Sequence, residues 1–181
     1  GYEGIGWYST TIDQALARSG RLQRLHYGRV MYFTKAWLNG ESLGQNIGGY
    51  LPFEFEVTGK LRTDRPNVLV LRVDNRSRLD WLPASRNIEW VQYGGILQPV
   101  VLETTAKAYL AGVTIHAVPE GSGATVDCEV EVVSRETMAR DLRLRATVDG
   151  SSHATADANF QLPPGGTLRQ RLHLKLDRSN R

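Results

Sequence analysis

Aromatic rings alternate with carboxylates and amides in one stretch of this 181-residue chain, "DWLPASRNIEWVQYGGI", residues 80–96. Asp80, Trp81, Glu89, Trp90 and Tyr93 are the residue types that hold a sugar. A Trp or Tyr face stacks on the C–H face of the ring, and carboxylates accept its hydroxyls in charge-assisted hydrogen bonds. These five are the candidate substrate-binding residues. Taken singly they have plainer readings. Trp81 and Trp90 each suit a plug for the end of a sandwich, and Glu89 suits a solvated loop as well as a site.

A glycine pair, Gly94-Gly95, closes that stretch, and a second one lies upstream in "NIGGYLPFEFEVTG", residues 46–59. Glycine admits positive φ and lets another element come close, so each pair marks a sharp corner. Pro52 fixes an extended entry into "FEFEV", where Phe53 and Phe55 share a face. The expectation is a rim projected by both glycine loops from one end of a sandwich. Trp90 and Tyr93 would lock it to the core, leaving Glu89 facing outward.

Other chemistry is sparse. His26, His116, His153 and His173 show no metal-ligand spacing, so neither a metal nor a cofactor is expected. Ser9, Ser42 and Ser77 lack the nucleophile elbow of a serine hydrolase. Asn75-Arg76-Ser77 fits a glycosylation sequon, a tripeptide common by chance. The one cysteine, Cys128, excludes an intrachain disulfide and reads as a small core residue, which fits a reducing, cytoplasmic setting.

Such residues need strands to position them. Period-2 alternation runs through "RVMYFTKAWLNG", "NVLVLRVDN", "DLRLRATVDG" and "TLRQRLHLKL", each with one apolar face. Leu69, Leu71 and Val73 share such a face, as do Leu172, Leu174 and Leu176. This is the signature of antiparallel sheets with one side in the core and one in water. Asn39-Gly40 and Asp149-Gly150 are two-residue hairpin signals, because both positions of that turn need φ > 0. Pro163-Pro164-Gly165-Gly166 separates two further strands, and "TIDQALARSGR" is too short and polar for a substantial helix.

The texture changes near residue 106. All four Trp residues (Trp7, Trp37, Trp81, Trp90) precede it, and the strands after it are cleaner. Two tandem β-sandwiches are expected, 1–106 and 107–181. About 75 residues is short for an immunoglobulin-like sandwich, so the second is expected to lack a final strand or to share one with a neighbour. Lys and Arg number 22 against 19 Asp and Glu, interleaved without a run of like charge, which argues against nucleic acid as a partner. No apolar run approaches the ~20 residues of a membrane-crossing helix, so no membrane partner is expected. The chain opens at Gly1 in what reads as mid-strand, as an excised piece of a longer protein would.

Six motifs in order, "GWYSTTI", "AWLNGESLG", "NIGGYLPFEFEVT", "NVLVLRVDN", "DWLP" and "YGGI", resemble glycoside hydrolase family 2, the β-galactosidases, β-glucuronidases and β-mannosidases. The resemblance covers about the first 105 residues and implies that family's N-terminal sugar-binding jelly roll. Residues 107–181 would then be the immunoglobulin-like sandwich that follows it. In the glucuronidase-like branch an Asp before an aromatic pair reaches the sugar. Glu89 stands at that place, followed by Trp90-Val91-Gln92-Tyr93, with Glu for Asp, Val for an aromatic and Gln for Asn as departures. Asn46 stands where the family often has His.

The family's chemistry is retaining hydrolysis by two Glu residues held ~5–5.5 Å apart on a barrel. The acid/base Glu follows an Asn there. This chain has no Asn-Glu dipeptide and no strand–helix alternation to build a barrel, so no catalytic residue is expected within it. The resemblance implies a terminal β-linked sugar and the absent barrel as partners. Two other readings stand beside it: a free-standing carbohydrate-binding module centred on Trp81, Glu89 and Trp90, and a structural or adhesive sandwich pair.

Overall fold

The computed structural model describes residues 3–76, 78, 80, 81, 93–148 and 154–176. It is all-β and separates into two compact units that divide between Thr105 and Ala106. Among the described residues the only helical element is a single 3-10 turn, Gln14–Leu16, capped by the Asp13 carboxylate. None is long and apolar enough to cross a membrane.

The first unit strings together β1 (Ile5–Ile12), β2 (Leu22–Tyr27), β3 (Val30–Met31), β4 (Phe33–Leu38), β5 (Glu41–Ile47), β6 (Phe53–Glu56), β7 (Asn67–Asp74), β8 (Gly95–Ile96) and β9 (Val100–Thr105). A four-stranded sheet, β1-β7-β4-β5, and a three-stranded sheet, β6-β2-β9, share one core. That core takes the inward positions of the alternation: Leu69, Leu71 and Val73 from β7, Ala36 and Leu38 from β4, Leu25 and Tyr27 from β2. Phe53 and Phe55 both reach it, with Phe53 stacked on Tyr27 at 4.7 Å between ring centroids. The Tyr27 hydroxyl finds no hydrogen-bond partner among the described residues, and burial pushes its pKa well above the usual phenol value.

Asn39 and Gly40 take φ of 55° and 88°, the two positive values that a tight hairpin requires, and join β4 to β5. Asn39 also ties the turn to β7: its Oδ1 accepts from Val68 N at 3.0 Å and its Nδ2 donates to buried Asn67 at 2.8 Å.

The second unit has β10 (Ala108–Glu120), β11 (Gly123–Ser134), β12 (Arg140–Val148), β13 (Ala154–Leu162) and β14 (Thr167–Leu176). A three-stranded sheet, β10-β11-β14, faces a two-stranded one, β12-β13. Val126, Cys128, Val130, Leu162, Leu172 and Leu174 are the buried centre. The alternate residues form charged ladders on the outer faces. Arg169 meets Glu131 at 3.0 Å, Arg171 meets Glu129 at 3.0 Å, and Arg143 and Arg145 converge on Asp157 at 2.7 and 2.8 Å. Asp149-Gly150 lies outside the described residues.

Candidate functional site

Both glycine pairs converge on one short strand of the first unit. β3 pairs with β8, placing Met31 opposite Gly95. Gly49 packs against Met31 so closely that a Cβ would overlap the Met31 sulfur. Arg29 Nε donates to the Gly49 carbonyl at 2.9 Å, and its guanidinium lies 4.9 Å from the Tyr50 ring. Gly48 N donates to the Tyr32 carbonyl at 3.3 Å. Downstream, Gly94 packs on the Asn75 amide, whose Oδ1 accepts from Gly4 N at 2.7 Å. Gly95 adopts a φ of 94°, and a Cβ on it would lie 2.5 Å from the Tyr8 hydroxyl. The glycines are therefore required by close approach at Gly49 and Gly94, and by backbone conformation at Gly48 and Gly95.

Beside this joint lies an aromatic cluster. Trp81 stacks on Tyr32 at 4.8 Å and on Phe33 at 6.1 Å, and the Arg78 guanidinium stands 4.7 Å from its ring. Arg78 also holds Asp80 in a two-pronged pair at 3.0 and 3.2 Å. That hydrogen bonding keeps the Asp80 carboxyl below the usual carboxylate range. At the end of β7, buried Asp74 receives Arg76 at 2.9 and 2.6 Å and Arg72 at 3.4 Å. The Arg76 hydrogen bonds likewise hold its carboxyl below the ordinary value, against the opposing effect of burial. Both carboxylates are engaged by arginines. Such groups suit positioning and charge, not proton transfer.

The five sequence candidates fare differently. Trp81 and Asp80 sit together in this cluster. Tyr93, just before the Gly94 corner, is 68% exposed, so it does not lock its loop against the core as expected. Glu89 and Trp90 lie outside the described residues. Asn46 turns its amide toward the Gly48 carbonyl of its own loop, at 3.5 Å.

Two groupings escaped sequence reasoning. Trp7 and Trp37 stack at 5.6 Å across β1 and β4 on the outer face of the larger sheet, with Lys35 5.3 Å from the Trp37 ring. Only the common face set by the β1–β7–β4 register reveals them as neighbours. On the other sheet His26, Glu54 and Glu103 bring ligand atoms within 4.8 Å of one another, from β2, β6 and β9. Sequence spacing cannot show a grouping drawn from three strands. Arg24 already pairs with Glu54 there at 3.3 Å, which weighs against a cation.

No family model matches the chain. Among known proteins it is 35% identical over 109 residues to the β-galactosidase BoGH2A of Bacteroides ovatus, an alignment covering 60% of this chain and 12% of that one. It is 25% identical to a β-glucuronidase of Paenibacillus borealis, over 86% of this chain and 30% of that protein. The fold superposes on the crystal structure of a Bacteroides uniformis β-glucuronidase with a TM-score of 0.84 and 24% identity, covering 97% of this chain and 22% of that one. The chain thus spans a small part of the length of the relatives it matches.

Proposed function

We infer that this chain, a relative of the glycoside hydrolase family 2 β-galactosidases and β-glucuronidases, is the non-catalytic N-terminal region of a β-glycosidase. Its first unit shapes the rim of a sugar site, and its second holds that unit against a catalytic barrel. The observation that carries the reading is the meeting of both glycine loops at Met31, next to the Tyr32–Phe33–Trp81 cluster and its arginine-bound carboxylates. This joint gathers the rings and fixed charges that a sugar needs. Of the solved structures this chain resembles, a Bacteroides uniformis β-glucuronidase is covalently bound to a cyclophellitol-6-carboxylate aziridine and an Eisenbergiella tayi β-galacturonidase is bound to galacturonate, both carboxylate-bearing. Arg76 and Arg78 are taken by Asp74 and Asp80, so Arg29, held by the Gly49 carbonyl and the Tyr50 ring, is the cation of this joint suited to a carboxylate-bearing ligand of that class.

Glu89 is the residue assigned to the sugar. A carboxylate accepting hydroxyls gains ~1.5–3 kcal/mol per charge-assisted hydrogen bond. In the full-length parent, Glu89→Gln is expected to lower kcat/KM about tenfold for each ~1.4 kcal/mol lost, with the melting temperature nearly unmoved. Normal activity with a large loss of stability would make Glu89 structural and remove the assignment.

A further inference from the structure

The outer face of the larger sheet in the first unit carries chemistry that the glycine-loop joint does not use. Trp7 pairs with Arg72 and Trp37 with Val70, while Leu69, Leu71 and Val73 of the same β7 enter the core. Directly paired residues project to one face, so both tryptophans point outward. Two cross-strand rows make up the face: Trp7–Arg72–Lys35–Gln45 and Ser9–Val70–Trp37–Ser42. Trp7 and Trp37 meet across β7 with 5.6 Å between ring centroids and 26° between planes. Trp37 also has the Lys35 ammonium 5.3 Å from its ring. Trp7 meets no other ring among the described residues and is 63% exposed, so one face of its indole is open.

The polar groups around the pair are uncommitted. The Ser9 and Ser42 hydroxyls, the Gln45 amide and the Lys35 ammonium form no hydrogen bond or ion pair among the described residues. Neither row holds an acidic residue. Arg72 is turned to Asp74 at 3.4 Å and lies 5.8 Å from the Phe33 ring, which leaves the charge of Lys35 unpaired. Bracing the sheet needs only the stacked faces of the two indoles. The open indole face, the hydroxyls, the amide and the ammonium are left for a ligand. A ring face stacks on the C–H face of a pyranose, hydroxyls and amides bind its hydroxyls, and an ammonium binds a carboxylate.

We propose that Trp7, Trp37 and Lys35 form a second carbohydrate subsite, which takes a pyranose unit of a carboxylate-bearing oligosaccharide. The sugar ring stacks on Trp7, and the carboxylate pairs with Lys35. Positive charge with no acid in either row favours such a glycan over a neutral one. The subsite lies beside the Trp81 cluster, because Phe33, the outward residue before Lys35 on β4, is a ring that Trp81 stacks on at 6.1 Å. It shares no residue with the joint of the glycine loops. The inference therefore stands whether or not Glu89 reaches a sugar in the parent protein.

Titration of the 181-residue chain with tetragalacturonate and with cellotetraose, followed by calorimetry and tryptophan fluorescence, tests it. The acidic tetrasaccharide is expected to bind saturably, about tenfold or more tighter than the neutral one. Trp7→Ala is expected to weaken that binding about tenfold or more, and Trp7→Phe, which keeps a ring, to weaken it less. Lys35→Met is expected to bring the acidic affinity within about twofold of the neutral one, and Trp81→Ala to leave it within about twofold of the parent chain. Should Trp7→Ala fail to fold, Trp7→Phe and Lys35→Met carry the test. Absence of saturable binding overturns the proposal, as does equal binding of the two sugars or binding that Trp7→Ala or Lys35→Met leaves intact. Loss of binding on Trp81→Ala moves the site to the glycine-loop joint and equally overturns it. Normal activity of Glu89→Gln in the parent protein touches only the rim reading.

Discussion

Gly95 and Gly112 look alike in the sequence and differ sharply in what they are asked to do. Gly95 pairs with Met31 at a φ of 94°, under the Tyr8 hydroxyl, whereas Gly112 sits in β10 with nothing within 4 Å of a hypothetical Cβ. Gly95→Ala is expected to cost ~1–3 kcal/mol through strain and the displaced Tyr8 ring. Gly112→Ala is expected to stay within ~0.5 kcal/mol of the parent chain, read by chemical denaturation. The value of the glycine pairs as corner markers was legible from their type alone, but their convergence on Met31 was not, because residues 49 and 95 are brought together only by tertiary pairing. The same limit hid Gln23, a polar residue at an inward position of β2. It is buried because its amide bonds Leu16 O at 2.8 Å and Thr104 Oγ1 at 3.1 Å, partners far apart in sequence.

Strands were the most readable level, since a period of two leaves little choice of face once one side is apolar. Leu172 and Leu174 are buried and Arg171 and His173 exposed, as the alternation of "TLRQRLHLKL" requires. Strand order is another matter: nothing in the sequence says that β14 pairs with β11 while β13 pairs with β12. The charged outer faces give these pairings a pH signature. Hydrogen bonds from Arg145 and then Arg143 hold the Asp157 carboxyl well below its ordinary value of 3.8, and the His173 hydrogen bond lowers Asp127. A carboxyl depressed in the folded state contributes fully above its unfolded pKa, and the contribution is lost as pH falls through the folded value. The melting temperature is therefore expected to be level above about pH 5 and to fall progressively below pH 4. Asp157→Asn is expected to flatten part of that fall, and 1 M salt to shrink it, because exposed ion pairs are screened.

At the scale of the molecule the chain has two sandwiches and, among the described residues, no layer of helices around a parallel barrel. Hydrolysis by the family's route needs two carboxyls held a few ångströms apart on such a barrel. The purified 181 residues are accordingly expected to show no turnover of aryl β-glycosides. Saturable hydrolysis that survives repurification would place catalytic groups within the chain and overturn the reading of a non-catalytic region.

Cys128 lies at the centre of β11, 7% exposed, and the chain has no other thiol. Cys128 packs in the core shared by the β10-β11-β14 sheet and β12-β13, so labelling of that sulfur is expected to follow the parting of the two sheets, and the first unit has no thiol to attack. The protein thus carries an intrinsic clock for the breathing of one sandwich alone. Under conditions where reclosing outruns labelling, the rate of thiol loss measures the free energy of opening of the second unit, unmixed with that of the first.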